Sequence, residues 1–131
     1  MNDVETLART IFGEARGELY GGQVAVANVI MNRVARPGWW GSDIVGVCIA
    51  PSQFSCWNSD DPNRRRILDL DLESRLGKPF VVIATAAIAG ALVDVTFRST
   101  HYYAAPPIPY WARGKKPVIE IGRHRFHNNL E

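Results

Sequence analysis

The sequence predicts one mainly helical domain of α+β type with a loop-rich second half, and three observations carry that expectation. A stripe of apolar residues at helical spacing runs through the first fifteen positions. A segment apolar on nearly every side follows at 23–34, and a charge-free apolar stretch occupies 79–93. Beyond position 100, Tyr, Pro and Trp replace any helical period. With 131 residues, 47% of them hydrophobic, the chain can bury one substantial core and is too short for two, so 1–131 reads as a single domain.

Each element has its own signal. Val4, Leu7, Ala8, Ile11, Phe12 and Ala15 follow the i, i+3, i+4, i+7 rhythm of one helix face; Asn2 or Asp3 is the cap, Glu5 suits the first turn, and Gly17 ends the helix. Tyr20-Gly-Gly reads as a turn. Val24, Ala25, Val26, Ala27, Val29, Ile30 and Met31 then leave no polar face, which a helix over 23–34 tolerates only at the centre of a core. Pro37-Gly38 breaks that helix, and 42–49 suits a short third one. Residues 53–62 are polar and aromatic without period. Over 62–76, Arg and Asp alternate with Ile67, Leu68, Leu70, Leu72 and Leu76, the pattern of a surface helix. A buried helix is expected over 80–93; its charge-free run is shorter than the roughly 20 residues a bilayer span needs, so no stable membrane insertion is expected. Irregular structure or short strands are expected over 101–111, forming one wall of a groove.

The formal net charge of +2 lies well below the footprint of a nucleic-acid binder, so no nucleic-acid partner is expected. After Thr96, six cations (Arg98, Arg113, Lys115, Lys116, Arg123, Arg125) face only Glu120 and Glu131, which suits either an anionic polymer such as cell wall or a solvated surface. The N-terminal residues carry acids where a secretory signal has cations, so the expected location is cytoplasmic as synthesised. Cys48 and Cys56 are close enough in sequence to bridge but are read as reduced core thiols.

Glu14 is the strongest candidate for chemistry. It lies near the end of the first helix, about 80° from the middle of the apolar stripe, so it borders the core without pointing fully into it. Partial burial penalises a carboxylate, and a like charge on Glu18 would add to that, both raising the pKa of the less solvated acid. A carboxylic acid still protonated near neutrality is what a glycosidic leaving oxygen requires. Spacing alone points more readily to two ordinary exposed helix-end acids, paired with Arg16 or Arg33. His101, His124 and His127 suggest a zinc site, but the His-Glu-x-x-His spacing is missing and the segment is basic, so neither a metal nor a cofactor is expected.

Ile11-Phe-Gly-Glu-Ala-Arg-Gly-Glu18, followed by Gly22-Gln-Val-Ala-Val-Ala-Asn-Val-Ile-Met-Asn-Arg33, resembles the SleB/CwlJ-type cell-wall hydrolases, which include spore-cortex-lytic enzymes and phage endolysins. Gln53-Phe-Ser55, Asp94-x-Thr96, Tyr102-Tyr103, Trp111 and Ile121-Gly-Arg-His124 extend the match almost to the C-terminus. The resemblance implies a lysozyme-like, lytic-transglycosylase-like fold acting on the bond between N-acetylmuramic acid and N-acetylglucosamine in peptidoglycan glycan strands. It implies Glu14 as acid and base, with Glu18 in support. A lytic transglycosylase needs one glutamate, because the muramic acid 6-hydroxyl closes onto the anomeric carbon as a 1,6-anhydro product. A hydrolytic muramidase on the same groove normally needs a second carboxylate.

Gln53, Ser55, Tyr102 and Tyr103 are the expected substrate-binding residues, since sugars are held by amide and hydroxyl hydrogen bonds and aromatic faces. Trp39, Trp40, Trp57 and Trp111 suit either a groove or the core. The other readings are a zinc N-acetylmuramoyl-L-alanine amidase and a non-catalytic wall-binding module. A phage-type endolysin dependent on a holin or exporter fits the expected location. Val95, Arg98 and Ala104 stand where the family commonly has Pro, a small residue or Gly, and Asn.

Overall fold

The computed structural model describes residues 1–50, 53–104 and 106–130. Helix α1 (Asp3–Ala15) begins where the Asn2 side chain accepts the Glu5 N–H at 2.8 Å. Its buried face, Leu7, Ala8, Ile11, Phe12 and Ala15, packs against α2 (Tyr20–Ala35), α3 (Ile44–Ile49), α4 (Asn63–Asp69) and α5 (Lys78–Ile88). The centre expected for α2 alone is therefore shared. α1 touches the four other helices, whereas α2 lies between the helices and the sheet. Its Val26, Ala27 and Ile30 join the helical core, and its Ala25 and Val29 pack on Phe126 of the sheet.

Three helix limits differ from expectation, each for a local reason. α2 starts at Tyr20 and runs through Gly21 and Gly22 instead of turning there. Gly22 serves close packing: a Cβ on it would stand 2.8 Å from Glu18 Cβ. α4 ends at Asp69, because Arg9 reaches across from α1 and donates to the carbonyls of Ile67 (2.7 Å) and Leu70 (2.8 Å). Asp71 then accepts the Glu73 N–H at 2.9 Å and starts a turn. α5 stops at Ile88, with Gly90 just beyond it in the left-handed region at φ +72°.

The second half supplies a small antiparallel sheet. Strands β1 (His101–Ala104), β2 (Ile119–Ile121) and β3 (His124–His127) lie in the order β1-β3-β2, with Tyr102 opposite Phe126 and Ile121 opposite His124. Irregular or short-stranded structure over 101–111 is what is found: β1, then a 3-10 turn at Tyr110–Ala112. Cys48 and Cys56 are free, buried thiols; burial pushes Cys48 up to about 12 and Cys56 higher still, as befits core groups. Among the described residues no helix is long and apolar enough to cross a membrane.

Candidate active site

The site is assembled by polar side chains that emerge from the apolar helix α2. Asn28 donates to the Val93 carbonyl (3.3 Å) and accepts the Val95 N–H (3.0 Å). Asn32 donates to Asp94 Oδ2 (3.0 Å) and to the Ser99 carbonyl (2.9 Å), and Arg33 Nε donates to the Thr100 carbonyl (2.7 Å). Asp94 in turn accepts from the Thr96 N–H and hydroxyl and from the Arg98 N–H. Burial opposes its charge, but these donors hold its carboxyl below the usual range. The Asp94-x-Thr96 motif is thus a self-capped turn clamped to α2, and it delivers the chain into β1.

Strand alternation then decides which tyrosine reaches the helices. Tyr102 faces them, edge-on to His124 (4.8 Å between centroids), beside Phe126 (5.6 Å) and Phe54 (6.5 Å), and its hydroxyl donates to Glu14 Oε1 at 2.7 Å. Glu14 sits half-buried near the end of α1. Burial raises its pKa above the ordinary carboxylate value; the Tyr102 bond, then hydrogen bonding from Cys56, pulls it back, and the charge of Asp61 pushes it further up. The Tyr102 phenol is itself raised well above its ordinary value by burial and by Glu14, so it stays a donor. The close approach of Cys56 depends on Gly13, where a Cβ would lie 2.8 Å from Cys56 Sγ and 2.9 Å from Ile67 Cγ2.

Glu18 does not act on Glu14 as a like charge. α1 ends before it, and its carboxylate accepts the Arg123 N–H (3.1 Å) and Arg123 Nε–H (2.9 Å). Although burial works against the charge, these bonds hold its pKa below the ordinary value. The acid that does press on Glu14 is Asp61, in the stretch read only as irregular.

Gln53 and Tyr102 come together in a cleft of about 450 Å³, lined also by Arg33, Trp39, His101, Tyr110 and Trp111. Arg33 Nη1 donates to Gln53 Oε1 at 3.1 Å, while the Arg33 guanidinium lies against the Trp40 and Phe54 rings. Ser55 is exposed in a 3-10 turn (Ser55–Trp57) and does not line that cleft. Tyr103 points to the opposite face of β1, stacked on His127 (5.9 Å) and edge-on to Trp111 (5.7 Å), so the structure separates it from Glu14 and Tyr102. Trp40 is core, and Trp57 donates from Nε1 to Thr10 Oγ1 at 2.9 Å.

Arg33, Tyr110 and Asp61 are site residues that the sequence reading did not assign. Arg33 alone carried a usable signal: a single cation in an otherwise apolar helix needs buried partners. The three histidines do not form one cluster: His101 pairs with His127 across β1 and β3 and both pack on Trp111, apart from His124. His124 faces Tyr102, whereas His127, three residues on in the same strand, lies on the other face, and among the described residues no group of three His, Cys, Asp or Glu is placed to hold a metal ion.

The helical core, the small antiparallel sheet and the half-buried glutamate at the end of the first helix define a lysozyme-like fold. The chain is similar to the catalytic domain of the germination-specific lytic transglycosylase SleB from Bacillus anthracis (TM-score 0.75, 29% identity, 96% of this chain and 93% of that one) and to the catalytic domain of Bacillus cereus SleB (TM-score 0.73, 28% identity, 95% and 88%). Residues 17–127 match the family described as Cell Wall Hydrolase, and the chain belongs to that family. It is 46% identical to the spore cortex-lytic enzyme of Bacillus subtilis over 136 residues and 40% identical to that of Halalkalibacterium halodurans over 135 residues, covering 95% and 97% of this chain. The chain spans 37% and 35% of the lengths of those two relatives.

Proposed function

We propose that the chain cleaves peptidoglycan glycan strands between N-acetylmuramic acid and N-acetylglucosamine as a lytic transglycosylase, with Glu14 as both acid and base. The observation that carries the reading is the Glu14–Tyr102 pair: a carboxyl raised by burial and oriented by a phenol on Oε1. Glu14 gives that proton to the glycosidic oxygen as its bond to the anomeric carbon breaks. The resulting carboxylate takes the proton of the muramic acid 6-hydroxyl as that oxygen bonds to the same carbon, so the glutamic acid is restored and a 1,6-anhydro ring is formed. Similarity to a solved lytic transglycosylase domain supports the reaction class. The pairing of Glu18 with Arg123 supports a one-carboxylate mechanism over a Glu14–Glu18 pair.

The hydrolytic muramidase is the second reading, and Asp61, the acid whose charge reaches Glu14, is the observation in its favour. The zinc amidase has no such support, because His124 and His127 diverge. An endolysin role, with a holin or exporter giving access to the wall, is part of the proposal; lysis of an expressing culture only when a holin is co-expressed would bear it out. The direct test of the activity is release of soluble muropeptides from purified wall by the wild-type chain and not by Glu14→Gln. Equal release by both would overturn it.

A further inference from the structure

The face of the sheet turned away from Glu14 carries a cavity that the proposed chemistry does not use. Tyr103, Arg125 and Glu120 are register partners across β1, β3 and β2, so the pleat places all three in one row on the face opposite Tyr102 and Phe126. The row is pre-set. Arg125 Nε donates to Glu120 Oε1, the Arg125 guanidinium lies 6.0 Å from the centre of the Tyr103 ring, and His127 stacks on the same ring at 5.9 Å. Together with Ile108, Lys115, Lys116, Pro117 and Ile119, the row lines a cavity of about 590 Å³.

The charges of this cavity do not cancel. Glu120 is the only acid among its lining residues and Arg125 holds it, so Lys115 and Lys116 are left over; among the described residues neither makes an ion pair. Their backbone is fixed all the same. The Lys115 N–H donates to the Ala112 carbonyl (3.0 Å), closing a turn in which Gly114 takes φ +73°, and the Val118 N–H donates to the Phe126 carbonyl of β3 (2.8 Å). Two neighbouring cations that no acid neutralises raise the local potential, and a low-dielectric wall of Tyr103, Ile108, Pro117 and Ile119 focuses it. Both lysines belong to the cationic run after Thr96, which the Glu14 chemistry leaves unused.

The rest of the lining selects among anions. A phosphate polymer asks for cations and hydrogen-bond donors alone, whereas here an aromatic face and three apolar side chains, with Ile108 left 49% exposed, stand beside the lysines. That combination suits carboxylates carried on a chain with small apolar groups, which is an acidic peptide. Trp111 lines the cleft that holds Tyr102 and also packs on Tyr103 at 5.7 Å, so the two cavities share one aromatic wall.

We propose that this cavity binds an acidic peptide, of the kind that muramic acid carries as its stem. Lys115 and Lys116 take the carboxylates, and Tyr103, Ile108, Pro117 and Ile119 take the alanine methyl groups. The proposal rests on the glycan-strand reading above and adds a site for the peptide attached to the strand.

The test is an NMR titration of the full, isotope-labelled chain with two probes, the N-acetylated tripeptide L-Ala-γ-D-Glu-meso-diaminopimelate and the same tripeptide with its carboxyls amidated. The expected result is saturable shifts of the backbone amides around Tyr103 and from Lys115 to Ile119 with the first probe, weakened by added salt. The amidated probe should bind more weakly by about tenfold or more. The double substitution Lys115→Gln with Lys116→Gln, at exposed positions where the fold is not at stake, should weaken the first probe by about tenfold. Absence of shifts, equal affinity for the two probes, or a double variant that binds like the wild type would each overturn the site. Tighter binding of poly(glycerol phosphate) to the same residues would overturn the choice of an acidic peptide. The titration needs no glycan, so it is read independently of Glu14. Peptide binding by a chain that releases no muropeptides removes the catalytic reading and keeps the site, whereas release without peptide binding does the reverse.

Discussion

The Tyr102 hydroxyl donates a 2.7 Å hydrogen bond to Glu14 Oε1, joining residues 88 positions apart in sequence. The two are brought together from opposite sides, Glu14 by the packing of α1 and Tyr102 by the turn that Asn28, Asn32 and Arg33 clamp in front of β1. The bond orients the carboxyl and opposes the effect of burial on its charge.

Tyr102→Phe should therefore slow wall cleavage by about tenfold or more, and it should also move the pH profile. In the proposed mechanism Glu14 must be protonated to act as the acid, so activity should fall as pH rises through its pKa. Loss of the phenol removes the largest effect lowering that pKa, and the alkaline limb should shift to higher pH. A slower enzyme with an unmoved limb would reduce Tyr102 to packing.

Glu14→Gln should lose catalysis by at least ~10²–10⁴-fold. It should also raise the melting temperature at neutral pH. A carboxyl whose folded pKa lies above its unfolded one weakens the fold once pH exceeds the folded value, and it does no harm below the unfolded value. The neutral amide escapes that penalty, so the stability gap between variant and wild type should close in acid. Melting curves across the pH range check it.

For Glu18→Gln the expected effect is on stability and not on the pH optimum. Its carboxylate, with the side chain 4% exposed, holds the β2–β3 turn through Arg123, and the Arg123 side chain is 73% exposed, which screens the pair. A loss of about 1–2 kcal/mol at neutral pH is expected. Its folded pKa is lowered, so the contribution is present above the ordinary carboxylate value and vanishes as pH falls through the folded one. Denaturant unfolding at neutral and acid pH measures both. Gly122 belongs to the same contact, since at φ +58° it lets Glu18 reach the turn.

Arg98→Gly should stabilise the fold by about 1 kcal/mol. Arg98 is exposed and held at φ +65°, a region that costs an L-residue roughly 1–2 kcal/mol and glycine nothing, and part of the gain returns as unfolded-state entropy. A shift in the denaturation midpoint reads the effect.

The helices, and the position of Glu14 at the border of the first one's apolar face, were legible in the sequence because both depend on local periodicity, whereas the role expected for Glu14 came from the family resemblance. The apolar stripe of α1 fixes the direction Glu14 takes, and the unbroken apolar run of α2 announces its burial. What was not legible depends on contacts far apart in the chain. Gly22 looked like a turn and is a packing notch for Glu18; Glu18 looked like a neighbour of Glu14 and belongs to Arg123. Tyr102 and Tyr103 looked equivalent until the pleat of β1 sent them to opposite faces, and β1, β2 and β3, at three or four residues each, are too short to show an alternating pattern.

The mass spectrum of muropeptides released from purified wall by the wild-type chain tests the central claim most directly. If Glu14 alone supplies the acid and base steps, the released glycan ends should be lighter by one water than reducing ends, the signature of a 1,6-anhydro ring. Hydrated reducing ends in their place would contradict the one-carboxylate mechanism and move the activity to a hydrolytic muramidase.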